Sequence, residues 1–146
     1  PRASVAATEI LLMAAALAKG ETHLINAARE PEITDLAKCL IGMGAKIEGL
    51  GTDHLKVQGV DSLQGTTHPV VADRIEAGTY AMAVAITDGH VELVGAQHDL
   101  IGSVISTMSQ AGVEISESPC GLRVKRTNGD LVGVVVMTEP IPAPVI

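Results

Sequence analysis

Tryptophan and phenylalanine are absent from this 146-residue chain, and Tyr80 is its only aromatic side chain. Without large rings the interior must be filled by Ala, Val, Ile, Leu and Met, which favours close approach of helices and sheets. Basic runs are missing too: 10 Lys and Arg stand against 17 Asp and Glu, a net charge of −7. That balance argues against nucleic acid and against an anionic membrane surface as partners. The longest apolar run, Ile10 to Ala18, falls far short of the roughly 20 residues of a spanning helix. No signal peptide is visible, so the expected compartment is the cytoplasm. Cysteine is scarce, and neither Cys39 nor Cys120 lies in a CxxC pair or a His/Cys ligand pattern. They read as free thiols in a reducing compartment. The 5 histidines lack paired ligand spacing, so neither a metal nor a cofactor is expected.

What is present suffices for a core, with 47% of residues hydrophobic and 18% charged. The most informative feature is a repeat. MAAALAKGETHLI (13–25) lies over MAVAITDGHVELV (82–94), and ITDLAKCLIGMGAKI (33–47) lies over IGSVISTMSQAGVEI (101–115). Each copy mixes element types, which favours a duplicated α/β module over a solenoid.

The two copies have the same local signals. A helix rich in small residues, near 6–18 and 75–87, stops at Lys19-Gly20 or Asp88-Gly89. A short strand follows, THLIN or HVELV. The next helix of the first copy opens with Glu30-Pro31-Glu32, a good start because proline suits the first position and acids suit the positive dipole end. Its apolar positions 33, 36, 37, 40 and 41 form one stripe for packing on a sheet. Two strands close each copy, joined by GLGTD or ESPCG. Because no helix follows, GLGTDH reads as a hairpin turn and not as a nucleotide loop. The predicted unit is βαβαββ, lacking its first strand in copy one. LVGVVVMT (131–138) reads as the opening strand of a third unit, and the proline-rich EPIPAPVI cannot extend it.

Two stretches invite a functional reading. In RASVAATE (2–9), Ser4 or Thr8 suits a helix cap. Arg2 and the small residues Ala3, Ala6 and Ala7 equally suit a cradle where backbone amides and a guanidinium meet a phosphate. In VADRIEAG, Asp73, Arg74 and Glu76 cluster at a helix start. Either Asp73 caps the helix with a solvated ion pair beside it, or the cluster is an anion-facing arginine or a hinge.

NAAREPEI, MGAKI, GTD and DRIEAGT together resemble the UDP-N-acetylglucosamine 1-carboxyvinyltransferase family of enolpyruvyl transferases, from about Arg2 to Pro142. The resemblance implies two similar domains, each of three βαβαββ units in an inside-out α/β barrel. Residues 1–72 then resemble the last unit of one domain, and residues 73–146 the first unit of the other plus the start of a further strand. It also implies that the segment Arg2, Ala3, Ser4 and Val5 contacts a UDP-sugar, with capping as part of the same device. For Asp73, Arg74 and Glu76 it implies an interdomain or hinge role, not direct catalysis. Ala6 stands where the family usually has glycine; if that site needs φ > 0 or close contact with the ligand, the methyl costs about 1 kcal/mol and weakens binding. The family's catalytic Cys loop and Lys-Asn pair map ahead of Pro1, and its Asp maps where EPIPAPVI stands. The chain alone is therefore expected to bind UDP-N-acetylglucosamine weakly or not at all and to turn nothing over. The alternative is a non-enzymatic module that assembles with further copies of itself instead of with the remainder of a transferase.

Overall fold

The fold is that of a computed structural model, which describes residues 3–127 and 129–136. The chain divides into two compact units between Val71 and Ala72. In the first, Ser4 takes an extended conformation (φ −136°, ψ 125°) and caps α1 (Val5–Ala16), its side chain accepting from the Ala7 amide. Strand β1 (Glu21–Ile25) follows. Pro31 then opens α2 (Pro31–Gly42), with Glu32 in the first turn near the positive end of the dipole. Strands β2 (Lys46–Glu48) and β3 (His54–Gln58) complete the unit.

The sheet order is β1-β3-β2. Central β3 runs antiparallel to both neighbours, pairing Leu24 with Leu55 and Ile47 with Val57. Strands β1 and β2 are therefore parallel and joined through α2, a split β-α-β arrangement. One sheet face meets the helices. Leu12, Ala15 and Ala16 of α1, Ile33, Ala37 and Leu40 of α2, and Ile47, Leu55 and Val57 of the sheet form the core. Burying each large aliphatic side chain contributes about 1.5–3 kcal/mol. The expected stripe on α2 holds except at its end, where Ile41 stays 40% exposed.

The second unit repeats this order. Asp73 caps α3 (Arg74–Thr87), which ends at Asp88 in a left-handed conformation (φ 54°). Strand β4 (His90–Val94), a single 3₁₀ turn (His98–Leu100), α4 (Gly102–Gln110), β5 (Val113–Ser118) and β6 (Gly121–Arg126) follow. The sheet order is β4-β6-β5, again all antiparallel. Val84, Met108, Val113 and Val124 anchor one cluster, with Ala96, Ile101 and Leu122 forming another. Because β5 reaches Ser118, the turn shrinks to Pro119 and Cys120. A Cβ at Gly121 would run into the Leu93 carbonyl oxygen on β4, so only glycine fits that crossing.

The structure is thus α/β, with two open three-stranded sheets and no closed barrel among the described residues. The described part of each unit reads α-β-α-β-β. The first strand of the six-element pattern is not formed ahead of α3, where residues 59–73 carry no regular structure. Pro69 lacks an amide donor there, and no strand lies alongside. Residues 131–136, expected to open a third unit, are also irregular, and 137–138 lie outside the described residues. Their β-branched side chains favour an extended chain, but a strand needs a neighbour to bond.

One buried polar side chain ties the first unit together. Thr8 is 5% exposed. Its Oγ1 donates to the Ser4 carbonyl (2.8 Å) and accepts from the Ala28 amide (3.0 Å). On the open sheet face, Glu21 accepts from Lys56 Nζ and from His23 Nε2, both at 2.9 Å. The hydrogen bond from Lys56, then that from His23, holds the Glu21 carboxyl below its ordinary pKa, and Glu21 raises the Lys56 ammonium in turn.

Thr8→Val should destabilise the unit by about 1–3 kcal/mol in urea denaturation, since the buried Ala28 amide loses its acceptor. Thr8→Ser, which keeps the hydroxyl, should lose much less. A depressed Glu21 pKa means that its contribution is present above its unfolded value and fades as pH falls through the lowered one. For Lys56, raised, the contribution is present below its unfolded value and fades as pH rises through the raised one. Both groups are exposed, so the effect should be small and should shrink with salt. Lys56→Met should move the Glu21 carboxyl titration upward, as read by carbon NMR.

Candidate functional site

The N-terminus of α1 is the centre of the candidate site. Ser4 Oγ accepts from the Ala7 amide at 3.3 Å, which satisfies one of the helix's unpaired donors. Ala3, Ser4, Ala6 and Ala7 are exposed and Val5 is half-buried. The first turn therefore presents small side chains and the positive end of a 12-residue helix to solvent. Ala6 lies inside α1 and is not among the positive-φ residues. The strain expected for a methyl at a left-handed position does not arise. Arg2 lies outside the described residues.

Thr8 fixes what stands beside that turn. Through its bond to the Ala28 amide it holds loop 26–30 against the first turn of α1. The loop leaves β1 at Asn26, left-handed with φ 59°. Buried Ala27 donates its amide to the Asp53 carbonyl (2.9 Å), so the β2–β3 turn joins the same end of the unit. The loop then delivers exposed Arg29 and half-buried Glu30 to the start of α2. A helix start, a loop with a cation and an acid, and a second helix start thus share one end.

The second predicted cluster sits at the head of α3. Asp73 Oδ1 accepts from the amides of Ile75 (2.8 Å) and Glu76 (3.0 Å), the geometry of a helix cap. Arg74 is half-buried and Glu76 exposed. These residues belong to the second unit, whereas Ala3, Ser4 and Val5 belong to the first.

Sequence spacing missed two constellations. Thr8 was a possible cap, yet it acts inside the helix, bonding the carbonyl four residues back. His23 and His54 are brought together by strand register, Nδ1 to Nε2 at 2.9 Å, with Glu21 on the other nitrogen of His23. That contact is diagonal across β1 and β3, where His23 directly faces Lys56. No group of three or more potential metal ligands gathers among the described residues. Cys39 and Cys120 are both free. No helix among the described residues is long and apolar enough to cross a membrane.

Comparison with known proteins places this geometry. The family model for EPSP synthase (3-phosphoshikimate 1-carboxyvinyltransferase) matches residues 1–146. The UDP-N-acetylglucosamine 1-carboxyvinyltransferase of Rhodospirillum centenum is 62% identical over 142 residues, covering 97% of this chain and 33% of its own length. That of Dinoroseobacter shibae is 60% identical, covering 97% of this chain and 34% of its own length. The chain thus spans about a third of the curated relatives it matches. Among solved structures, the enolpyruvyl transferase NikO from Streptomyces tendae aligns with a TM-score of 0.68 at 22% identity, over 84% of this chain and 30% of that one. That likeness concerns the fold. With helices set on split β-α-β units and a family match along the whole sequence, the chain belongs to the EPSP synthase family of enolpyruvyl transferases.

Proposed function

We propose that these residues form part of a cytoplasmic enolpyruvyl transferase that acts on UDP-N-acetylglucosamine and phosphoenolpyruvate in peptidoglycan precursor synthesis. The observation that carries this reading is identity of 62% to a UDP-N-acetylglucosamine 1-carboxyvinyltransferase across nearly the whole chain. Within it, Arg2, Ala3, Ser4 and Val5 supply one wall of the UDP-sugar site. The exposed first turn of α1 supports the assignment, since small side chains and a positive dipole end suit a diphosphate. Asp73, Arg74 and Glu76 serve the junction between the units, and the capping role of Asp73 supports a structural part for them. In this reading the chain's share is binding surface, and turnover needs catalytic groups besides these residues.

A second reading is self-assembly, and one observation favours it. Ile10 (63%), Leu11 (53%) and Leu17 (54%) of the first unit, and Ile75 (63%), Tyr80 (56%) and Ile86 (75%) of the second, are exposed. Large apolar side chains grouped on a helix mark surfaces that associate.

Titration with UDP-N-acetylglucosamine, followed by amide shifts or calorimetry, should give saturable weak binding that Arg2→Ala weakens about tenfold, as expected for one charge-assisted contact. No phosphate should be released from phosphoenolpyruvate by the 146-residue chain. Absence of any saturation would remove the ligand assignment, and phosphate release would overturn the division of labour. Light scattering at micromolar concentration decides the second reading. A strictly monomeric mass sinks it, and a dimer or trimer dispersed by Leu11→Glu supports it.

A further inference from the structure

Residues 59–73 join β3 to α3 without regular structure, a 15-residue stretch. Loops of that length in compact proteins are uncommon and usually serve a function or a linkage. This one is nevertheless attached along its course. The Val60 amide bonds the Ala16 carbonyl (3.0 Å), Leu63 packs on the first unit's core, and the Gln64 amide bonds the Met43 carbonyl (2.8 Å). Thr66 passes Gly42 so closely that an added Cβ would lie 3.1 Å from its Oγ1. The last attachments are both to one carboxylate. His68 Nε2 donates to Asp35 Oδ1 at 2.9 Å, and the Val71 amide donates to Oδ2 at 3.4 Å. The segment therefore runs back along α2, from its C-terminal end at Met43 toward its start.

Asp35 is well placed for this work. Its side chain is 20% exposed and that of His68 18%, so the bond is sheltered from most of the solvent that weakens surface pairs. Both carboxylate oxygens are engaged by the same segment. Two residues past Val71, Asp73 caps α3. Only Ala72 separates the two anchors.

We propose that Asp35 and His68 form a clamp that straps residues 61–71 onto α2 and so fixes where the chain leaves the first unit. Asp35 is a positioning residue in this device. The clamp is independent of any ligand at α1, so failure of the UDP-sugar assignment leaves it standing.

Amide hydrogen exchange on the 146-residue chain tests it. In Asp35→Ala, exchange at Val71 and across 61–71 should rise about tenfold or more, while amides of β1 and β3 keep their rates, the signature of local opening. His68→Ala should do the same for 66–71, and His68→Gln, which keeps an N–H donor, should restore much of the protection. Unchanged exchange at Val71 in Asp35→Ala would overturn the clamp. So would a rise shared equally by β1 and β3, which would make Asp35 a general stability residue. If His68→Gln were as open as His68→Ala, the hydrogen bond would not be the attachment.

Discussion

The rest of the structure depends on how closely α1 and α2 can press onto a three-stranded sheet. Ala16 and Ala37 are completely buried and Ala15 nearly so, at the helix faces that meet the core. A methyl there lets helix backbone approach the sheet without a cavity, and the larger Leu12, Leu55 and Val57 fill what remains. In a chain with a single aromatic ring, no bulky side chain holds the layers apart. Close approach also brings the first turn of α1 within hydrogen-bond reach of loop 26–30. The Thr8 hydroxyl can then serve both, and the candidate site inherits its shape from the packing.

Much of this was legible in the sequence because it is local. A serine ahead of an alanine-rich run, a proline between two glutamates and an aspartate before Arg-Ile-Glu each announce a helix start within a few residues. Ser4, Pro31 and Asp73 take those places. The repeat was equally legible, since Ile33 and Leu40 recur as Ile101 and Met108 at buried positions. The family resemblance rested on contiguous motifs, and the family match runs along the same sequence.

What escaped was set by partners distant in sequence. Whether Thr8 is a cap or an internal tie depends on which face of α1 is buried, and the sheet decides that. The His23–His54 contact follows from the register of β1 against β3. Asp35 and His68 lie 33 residues apart, and neither has a local signature. The run LVGVVV misled for the converse reason. Alternation and β-branching describe what a strand's side chains prefer, while hydrogen-bonded neighbours decide whether one forms. At Ala6 the φ condition is answered in the same way: the residue lies inside α1, where alanine is the best residue available.

The helices α1 and α3 carry a second apolar face that the sheets do not use. Ile10, Leu11 and Leu17 on one, and Ile75, Tyr80 and Ile86 on the other, point away from the cores. An amphipathic surface helix places charge on that side. Here α1 has only Glu9 as a charged residue. Fully covering one large aliphatic side chain is worth about 1.5–3 kcal/mol, and these, already partly covered, would each gain a share of that. Sheet edges point the same way, because β1 and β4 each expose an aliphatic residue at the strand end, Ile25 and Val94, about four-fifths open (79% and 78%). Anything that covered these helices would be driven by the same hydrophobic burial. Specificity must then come from shape, and small residues beside large ones on α1 and α3 supply the relief that a partner helix can read.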